Sequence, residues 1–198
     1  PDILSAAVVT LHIALMGTSL ALVVALPVAF LAARNTSPSP WVYTAARSLL
    51  SFLRAVPEIV FALVLVPAIG LGPFPGVMAL FFHNFGVLGK LISEMIEGAH
   101  RGPQEAVAST GAARPLVLAF GILPQILPDV LSQAFYRLEV NVRQTIVLGF
   151  IGAGGIGHEL FLSFRVFQYR EVILQVAAIV VLVIAVDYLS SAVRRRVI

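Results

Sequence analysis

The run YRLEVNVR places Arg137, Glu139, Asn141 and Arg143 inside an otherwise apolar stretch, about residues 125–150. Ionisable groups in such surroundings are costly and mark either a mutual pair or a polar path. At helical spacing Glu139 and Arg143 share one face, and Arg137 and Asn141 share another nearly opposite it. One face suits a structural salt bridge. The other suits the lining of a water-filled path, where a guanidinium presents a fork-shaped set of donors. The plainer reading is that these groups pair among themselves or with a second subunit.

Other apolar stretches carry similar intrusions. Arg54 and Glu58 share a helical face about Pro57, which suits a structural pair beside a kink. His83 and Asn84 interrupt the stretch 75–92 as candidate channel-facing groups. A lone histidine there is more simply satisfied by a backbone carbonyl, and no second ligand at metal spacing accompanies it, so no metal site is expected. Ser51, Ser132 and His83 fall at no spacing that suggests a nucleophile and its base. No catalytic residue is therefore expected, which argues against an intramembrane protease or phosphatase. A proton-coupled transporter using Glu58 or Glu139 is a further class that buried carboxylates of this kind would suit.

Composition identifies the elements that must hold these residues. The chain of 198 residues is 59% hydrophobic and 12% charged, against about 25% charged in soluble domains. So much apolar surface needs lipid as its solvent. A transmembrane helix takes roughly 20 apolar residues, and five stretches qualify: about 5–32, 48–69, 75–92, 125–150 and 172–192. The expected fold class is an all-α integral membrane protein, one transmembrane domain over residues 1–198, with 93–124 as a loop within it. Residues 3–33 lack the basic start of a signal peptide. The chain opens on Pro1 and not on Met, which leaves room for one further span upstream. It has no cysteine, so thiol and disulfide chemistry drop out.

The placement of Lys and Arg orients the spans. Putting 33–47, 93–124 and the C-terminus on one side gathers Arg34, Arg47, Lys90, Arg101, Arg114, Arg194, Arg195 and Arg196 there. The other side keeps Arg165 and Arg170. The rich side is expected to be cytoplasmic, with the N-terminus outside and the C-terminus inside. Basic residues at the ends of apolar runs form no stripe for nucleic acid, despite a net charge of +3.

The stretch EAVASTGAARPLVLAFGILP, residues 105–124, then lies on the cytoplasmic side. Pro103 suits the first position of a helix and Gly111 the position just past its end. About 103–110 thus reads as a two-turn helix with Glu105 in its first turn, where the helix dipole favours an acid. Pro115 opens a second helical piece, and Pro124 and Pro128 lead into the next span. The plain alternative is a long loop that became helical at the membrane surface.

This stretch resembles the cytoplasmic signature loop of ABC importer permeases: E-A-A, three residues, Gly, nine residues, Ile, any residue, Leu-Pro. Glu105, Ala106, Gly111, Leu123 and Pro124 stand at that spacing. Val107 departs where the pattern has Ala, and Gly121 where it has Ile. The glycine is expected to loosen the link into the next span. The resemblance implies the fold of a type I ABC importer transmembrane domain. It also implies that the short helix seats in a groove of a separate ATP-hydrolysing subunit and passes its closure to the spans. The chain contains no G-x-x-x-x-G-K-[ST] of its own. It is therefore expected to bind no cofactor and to be no enzyme itself, with ATP and Mg²⁺ belonging to a partner ATPase dimer.

RAVPE at 54–58, LGPFPGVMAL at 71–80, VLGKLISEMIE at 87–97, YRLEVNVRQTIVLGFIGAGGIGHEL at 136–160 and the closing RRRVI resemble one branch in particular. That branch is the phosphonate importer permeases with their phosphite-type relatives, over about residues 48–198. Methionine importer permeases share the loop and a similar IGAGGIG segment, but not the charged YRLEVNVR run. The resemblance implies a homodimeric permease of the bacterial cytoplasmic (inner) membrane, set in the lipid bilayer, for phosphonate or a related phosphorus oxyanion. A periplasmic or lipoprotein binding protein would deliver the solute, with Glu159, Arg165, Arg170 and Glu171 as docking candidates. A methionine-type or other small-solute permease is the alternative.

Residues 152–157, GAGGIG, spell G-x-G-x-x-G. That motif signals a dinucleotide only between a strand and a helix. Here it follows a membrane span. Gly152, Gly154, Gly155 and Gly157 are expected to make a tight turn or close helix packing at an outer gate.

Overall fold

A computed structural model describes residues 3–197, with the backbone alone for Arg194, Arg196 and Val197. Much of the closing basic cluster thus lies outside the described side chains. Among the described residues every regular element is helical. The order is α1 Ile3–Ala32, α2 Pro40–Ala55, α3 Glu58–Ile69, α4 Pro73–Gly98, α5 Arg101–Ala108 and α6 Arg114–Val117. A π-helical turn Leu118–Ile122 then leads into α7 Leu123–Gly149, followed by α8 Ile156–Arg165 and α9 Tyr169–Val197.

Helices α1, α4 and α9, and the continuous unit Arg114–Gly149, are long and apolar enough to cross a bilayer. The expected span 48–69 is not one kinked helix. It is the pair α2 and α3, bent by 84°. Pro57 offers no N–H to the carbonyl of Leu53 and pushes Val56 out of the helical region, to φ −89 and ψ 118. Helix α2 starts beside the C-terminal end of α4, where Arg47 meets Glu97. Beyond α3, the Gly72 N–H donates to Gly152 O at 2.9 Å, at the opposite end of the bundle. The pair therefore runs from one end to the other as a broken span.

Close packing comes from small residues. Gly17, Ala21, Ala25 and Ala29 recur every fourth residue on the buried face of α1, the small-xxx-small pattern that lets membrane helices approach. A Cβ on Gly17 would stand 2.8 Å from Leu80 Cβ on α4. On α4 itself, Gly86 admits the backbone of Leu50, Leu53 and Arg54 at the end of α2. Two apolar clusters result. One joins Ala21, Ala25, Leu50, Leu88, Ile92, Ile126 and Val130. The other, nearer the opposite end, joins Ile13, Ala62, Leu80, Leu148 and Ala153.

Candidate functional site

Between those clusters lies a buried polar layer. Along α1 it falls at Thr18, along α4 at Asn84 and along α7 at Asn141, each between the residues of one cluster and those of the other. Asn141 Nδ2 donates to Thr18 Oγ1 at 2.6 Å, and Thr18 donates onward to Ala14 O at 2.7 Å. Asn84 Nδ2 donates to Asn141 Oδ1 at 3.1 Å and to Leu80 O at 2.8 Å. Arg137 Nε donates to Asn84 Oδ1 at 2.8 Å. Side-chain hydrogen bonds of this kind join helices in lipid, where water cannot replace them. The layer therefore fixes α1, α4 and α7 to one another and orients one guanidinium. Arg137 Nη2 is buried, and no hydrogen-bond partner for it occurs among the described residues.

The broken span meets this layer through His83. Its Nδ1 lies 2.9 Å from Val56 O, so that nitrogen donates, and its Nε2 lies 3.7 Å from Glu58 Oε2. The backbone-carbonyl partner is the one expected for a lone histidine in an apolar span. The expected Arg54–Glu58 pair does not form. The bend at Pro57 puts the two residues on different helices, Glu58 turns to His83, and Arg54 is exposed. Glu139 and Arg143 do pair along α7, with Glu139 buried and the Arg143 side chain 51% exposed. Arg137 and Asn141, expected on the other face, are the two that join through Asn84.

At the end of the bundle where α4 stops and α7 begins, the segment 101–122 forms a projection. Helix α5 begins two residues earlier than expected, so Pro103 sits within its first turn and not at its first position. None of its residues is buried, and Glu105 and Ala106 are exposed. Gly111, at φ +76, makes the turn that separates α5 from α6. Gly121 does not loosen the link. It is buried against α5, where a Cβ would lie 2.9 Å from the Gln104 Cα. Gln125 adds a clamp: its side chain accepts from His100 N at 3.0 Å and donates to His100 O at 3.1 Å and to Gly121 O. Leu123 and Pro124 open α7 directly behind.

At the opposite end Gly152, Gly154 and Gly155 all have positive φ, at 98°, 79° and 75°. Ile156 N donates to Thr10 Oγ1 at 2.9 Å, which holds the turn on α1. Gly157 packs on the backbone of Ile146. With no strand beside it among the described residues, GAGGIG is a packed turn and no dinucleotide site. Glu159, Arg165 and Glu171 come together around an open cleft of about 560 Å³, and Arg170 does not line it.

Residues 25–198 match the family of binding-protein-dependent transport system inner membrane components. The chain belongs to that family. It is thus a multi-pass component of an inner-membrane transport system. It is 43% identical to the phosphate-import permease protein PhnE of Mycolicibacterium smegmatis, over 96% of this chain and 36% of that protein. It is 44% identical to the phosphite transport system permease protein PtxC of Stutzerimonas stutzeri, over 94% of this chain and 68% of that protein. The chain thus spans about a third of the first relative and about two-thirds of the second. Among solved structures, the inward-facing methionine ABC transporter MetNI has a chain that superposes with a TM-score of 0.84 at 18% identity. That superposition covers 99% of this chain and 96% of the other. It establishes the fold of an ABC importer transmembrane domain.

In this inner membrane component, several residues that shape the site give no signal in the sequence. Thr18 looks like any threonine in an apolar helix, able to bond its own backbone, yet it terminates the polar layer. Gln104 and Gln125 read as ordinary polar residues of a loop, yet they lock α5 to its neighbours.

Proposed function

We propose that this chain is the membrane-spanning subunit of an ATP-driven, binding-protein-dependent importer for phosphite, phosphonate or a related phosphorus oxyanion. Two copies would enclose the path. A separate ATPase pair would seat α5 on the cytoplasmic side, and a binding protein would dock at the end that carries GAGGIG. One observation carries the solute class: identities of 43% and 44% over nearly the whole chain with permeases named for phosphate and phosphite import. The methionine and amino acid transporters share the fold at 18% and 20% identity, which brings no solute with it.

The geometry supports this reading. Arg137 is held by Asn84 and has a donor nitrogen to spare, the arrangement that an oxyanion in transit would use. Arg137 is the proposed path lining, positioned from behind by the fully buried Asn84 and Asn141, with Glu139–Arg143 beside it. Arg54 and the Glu58–His83 contact stand at the break in the second span, where a gate would bend. The turn at Gly152, Gly154, Gly155 and Gly157 would form the outer gate. Glu105, Ala106, Gly111, Leu123 and Pro124 are the proposed coupling residues. When ATP and Mg²⁺ bind the partner they supply the driving force, and α5 receives the displacement.

Uptake into proteoliposomes tests the proposal. The chain is reconstituted with its ATPase and binding protein, and radiolabelled phosphite, a phosphonate and methionine are compared. Uptake of a phosphorus oxyanion should require ATP and should survive a proton ionophore. Ionophore-sensitive uptake without the ATPase, or uptake of methionine alone, would overturn it.

A further inference from the structure

Helix α5 stands off from the body of the chain. A cavity of about 250 Å³, lined by Asn35, Glu97, Ala99, Arg101, Gln104 and Glu105, separates it from the corner where α1 turns into α2. Helices α5 and α6 pack on each other and on the π-helical turn, and make no extensive contact with α1 or α2. Among the described residues, Arg114 is the side chain that hydrogen-bonds from this projection to the corner. Its Nη2 donates to Thr36 O at 2.9 Å and to Ser37 O at 3.3 Å.

Both anchors of that bridge are stiff. At the corner, Thr36 and Ser37 N–H groups donate to Ala33 O, and Thr36 Oγ1 donates to Phe30 O at 2.6 Å. Asn35 Nδ2 donates to Ile96 O at 2.9 Å, and Arg34 N to Glu97 at 2.8 Å. Arg47 of α2 donates to Ala32 O at 3.2 Å and to Glu97 at 2.9 Å. The corner therefore binds α1, α2 and α4 into one body. At the other anchor, Arg114 opens the helical unit that continues through the π-helical turn into α7.

We propose that Arg114 is a coupling strut that carries displacement of the α5–α6 projection to the α1–α2 corner, and so to the broken span. This acts alongside the direct routes into α7 and, through the two-residue link at Ala99 and His100, into α4, and it rests on the importer reading above. A tether transmits motion only if it is rigid at both ends and crosses a gap that would otherwise absorb the movement. Arginine suits the task, because its planar, permanently charged head directs donors at two carbonyls together, whereas lysine presents a point charge on a flexible stem. Without the strut the ATPase still turns over, but less of its closure reaches the second span.

The test measures phosphite uptake per ATP hydrolysed by the whole reconstituted complex, comparing wild type with Arg114→Ala and Arg114→Lys. The ratio should fall about fivefold or more in Arg114→Ala, the scale of a typical coupling between sites. Arg114→Lys should be intermediate, with ATP hydrolysis retained in both. An unchanged ratio in Arg114→Ala overturns the strut while leaving the importer reading standing. If Arg114→Ala does not assemble, Arg114→Lys, which keeps the charge, decides the question: wild-type coupling there also overturns the strut. Wild type with no ATP-driven uptake would overturn both readings.

Discussion

His83 donates its Nδ1 proton to the carbonyl of Val56 at 2.9 Å, one residue before the proline that breaks the second span. Pro57 ends α2 within the broken span and leaves the Val56 carbonyl without a partner in the helix, since Val60 N donates to Pro57 O instead. The histidine of α4 satisfies it and fixes the 84° bend. His83→Ala leaves that carbonyl unpaired and is expected to cost about 1–3 kcal/mol of stability. Thermal unfolding of the purified complex in detergent measures it. His83→Gln keeps a donor on a side chain of useful length and should recover much of the loss. Equal melting of the two variants would show that the hydrogen bond contributes little.

Gly121 departs from the signature pattern, and the departure is a packing requirement. A side chain there would collide with the Gln104 backbone, 2.9 Å from a Cβ, and push α5 off its seat. Gly121→Ile, which restores the letter of the pattern, is therefore expected to harm. Overpacking of this kind costs about 1–3 kcal/mol. ATP hydrolysis stimulated by the binding protein should drop with it, since the displaced helix is the proposed contact with the ATPase. Wild-type stimulation in Gly121→Ile would mean that α5 has slack to absorb the side chain.

Arg143 pairs with buried Glu139 while half its own side chain is exposed. Arg143 is the solvent-facing half of the pair, and its loss leaves the buried Glu139 carboxylate without this partner, at a cost above that of a fully exposed pair. Arg143→Gln, which keeps a donor toward that carboxylate, should reduce uptake more than it reduces assembly. Size-exclusion chromatography of the complex, run beside the uptake assay, separates the two effects. If the variant does not assemble, Arg143 is structural and its place beside the path is lost.

The long apolar helices α1, α4, α7 and α9 and the short helix ahead of Gly111 are legible from the sequence because each rests on local chemistry. The carbonyl partner of His83 and the pairing of Glu139 with Arg143 follow from the same kind of reasoning. What escapes it depends on contacts between distant segments. Pro57 announces a kink in the sequence, but the size of the bend depends on Gly86 admitting the end of α2 and on His83 capping Val56. Arg54 and Glu58 have pairing distance in an unbroken helix and lose it at the break. Gly121 reads as slack because its neighbour in space, Gln104, is 17 positions away in the chain. The alanine and glycine stripe of α1 is visible at four-residue spacing, but only its partner, Leu80, gives it meaning.

That stripe gives a prediction with a sign. Alanine stabilises a helix over glycine by about 0.5–1 kcal/mol when nothing stands in its way. At Gly102 of α5 nothing lies within 4 Å of the added Cβ, so Gly102→Ala should hold or raise the melting temperature. At Gly17 the same methyl meets Leu80 Cβ at 2.8 Å and Val77 O at 3.2 Å. The second contact is backbone, so no rotamer change can relieve it, and α1 and α4 must separate. That separation would strain the Asn84–Asn141–Thr18 bonds, since Thr18 is the next residue along α1. Gly17→Ala is thus expected to lower stability by about 1–3 kcal/mol despite its better helix propensity. Parallel thermal melts of the two variants decide the matter. Two shifts of the same sign would mean that propensity, and not the approach of α1 to α4, governs the first span.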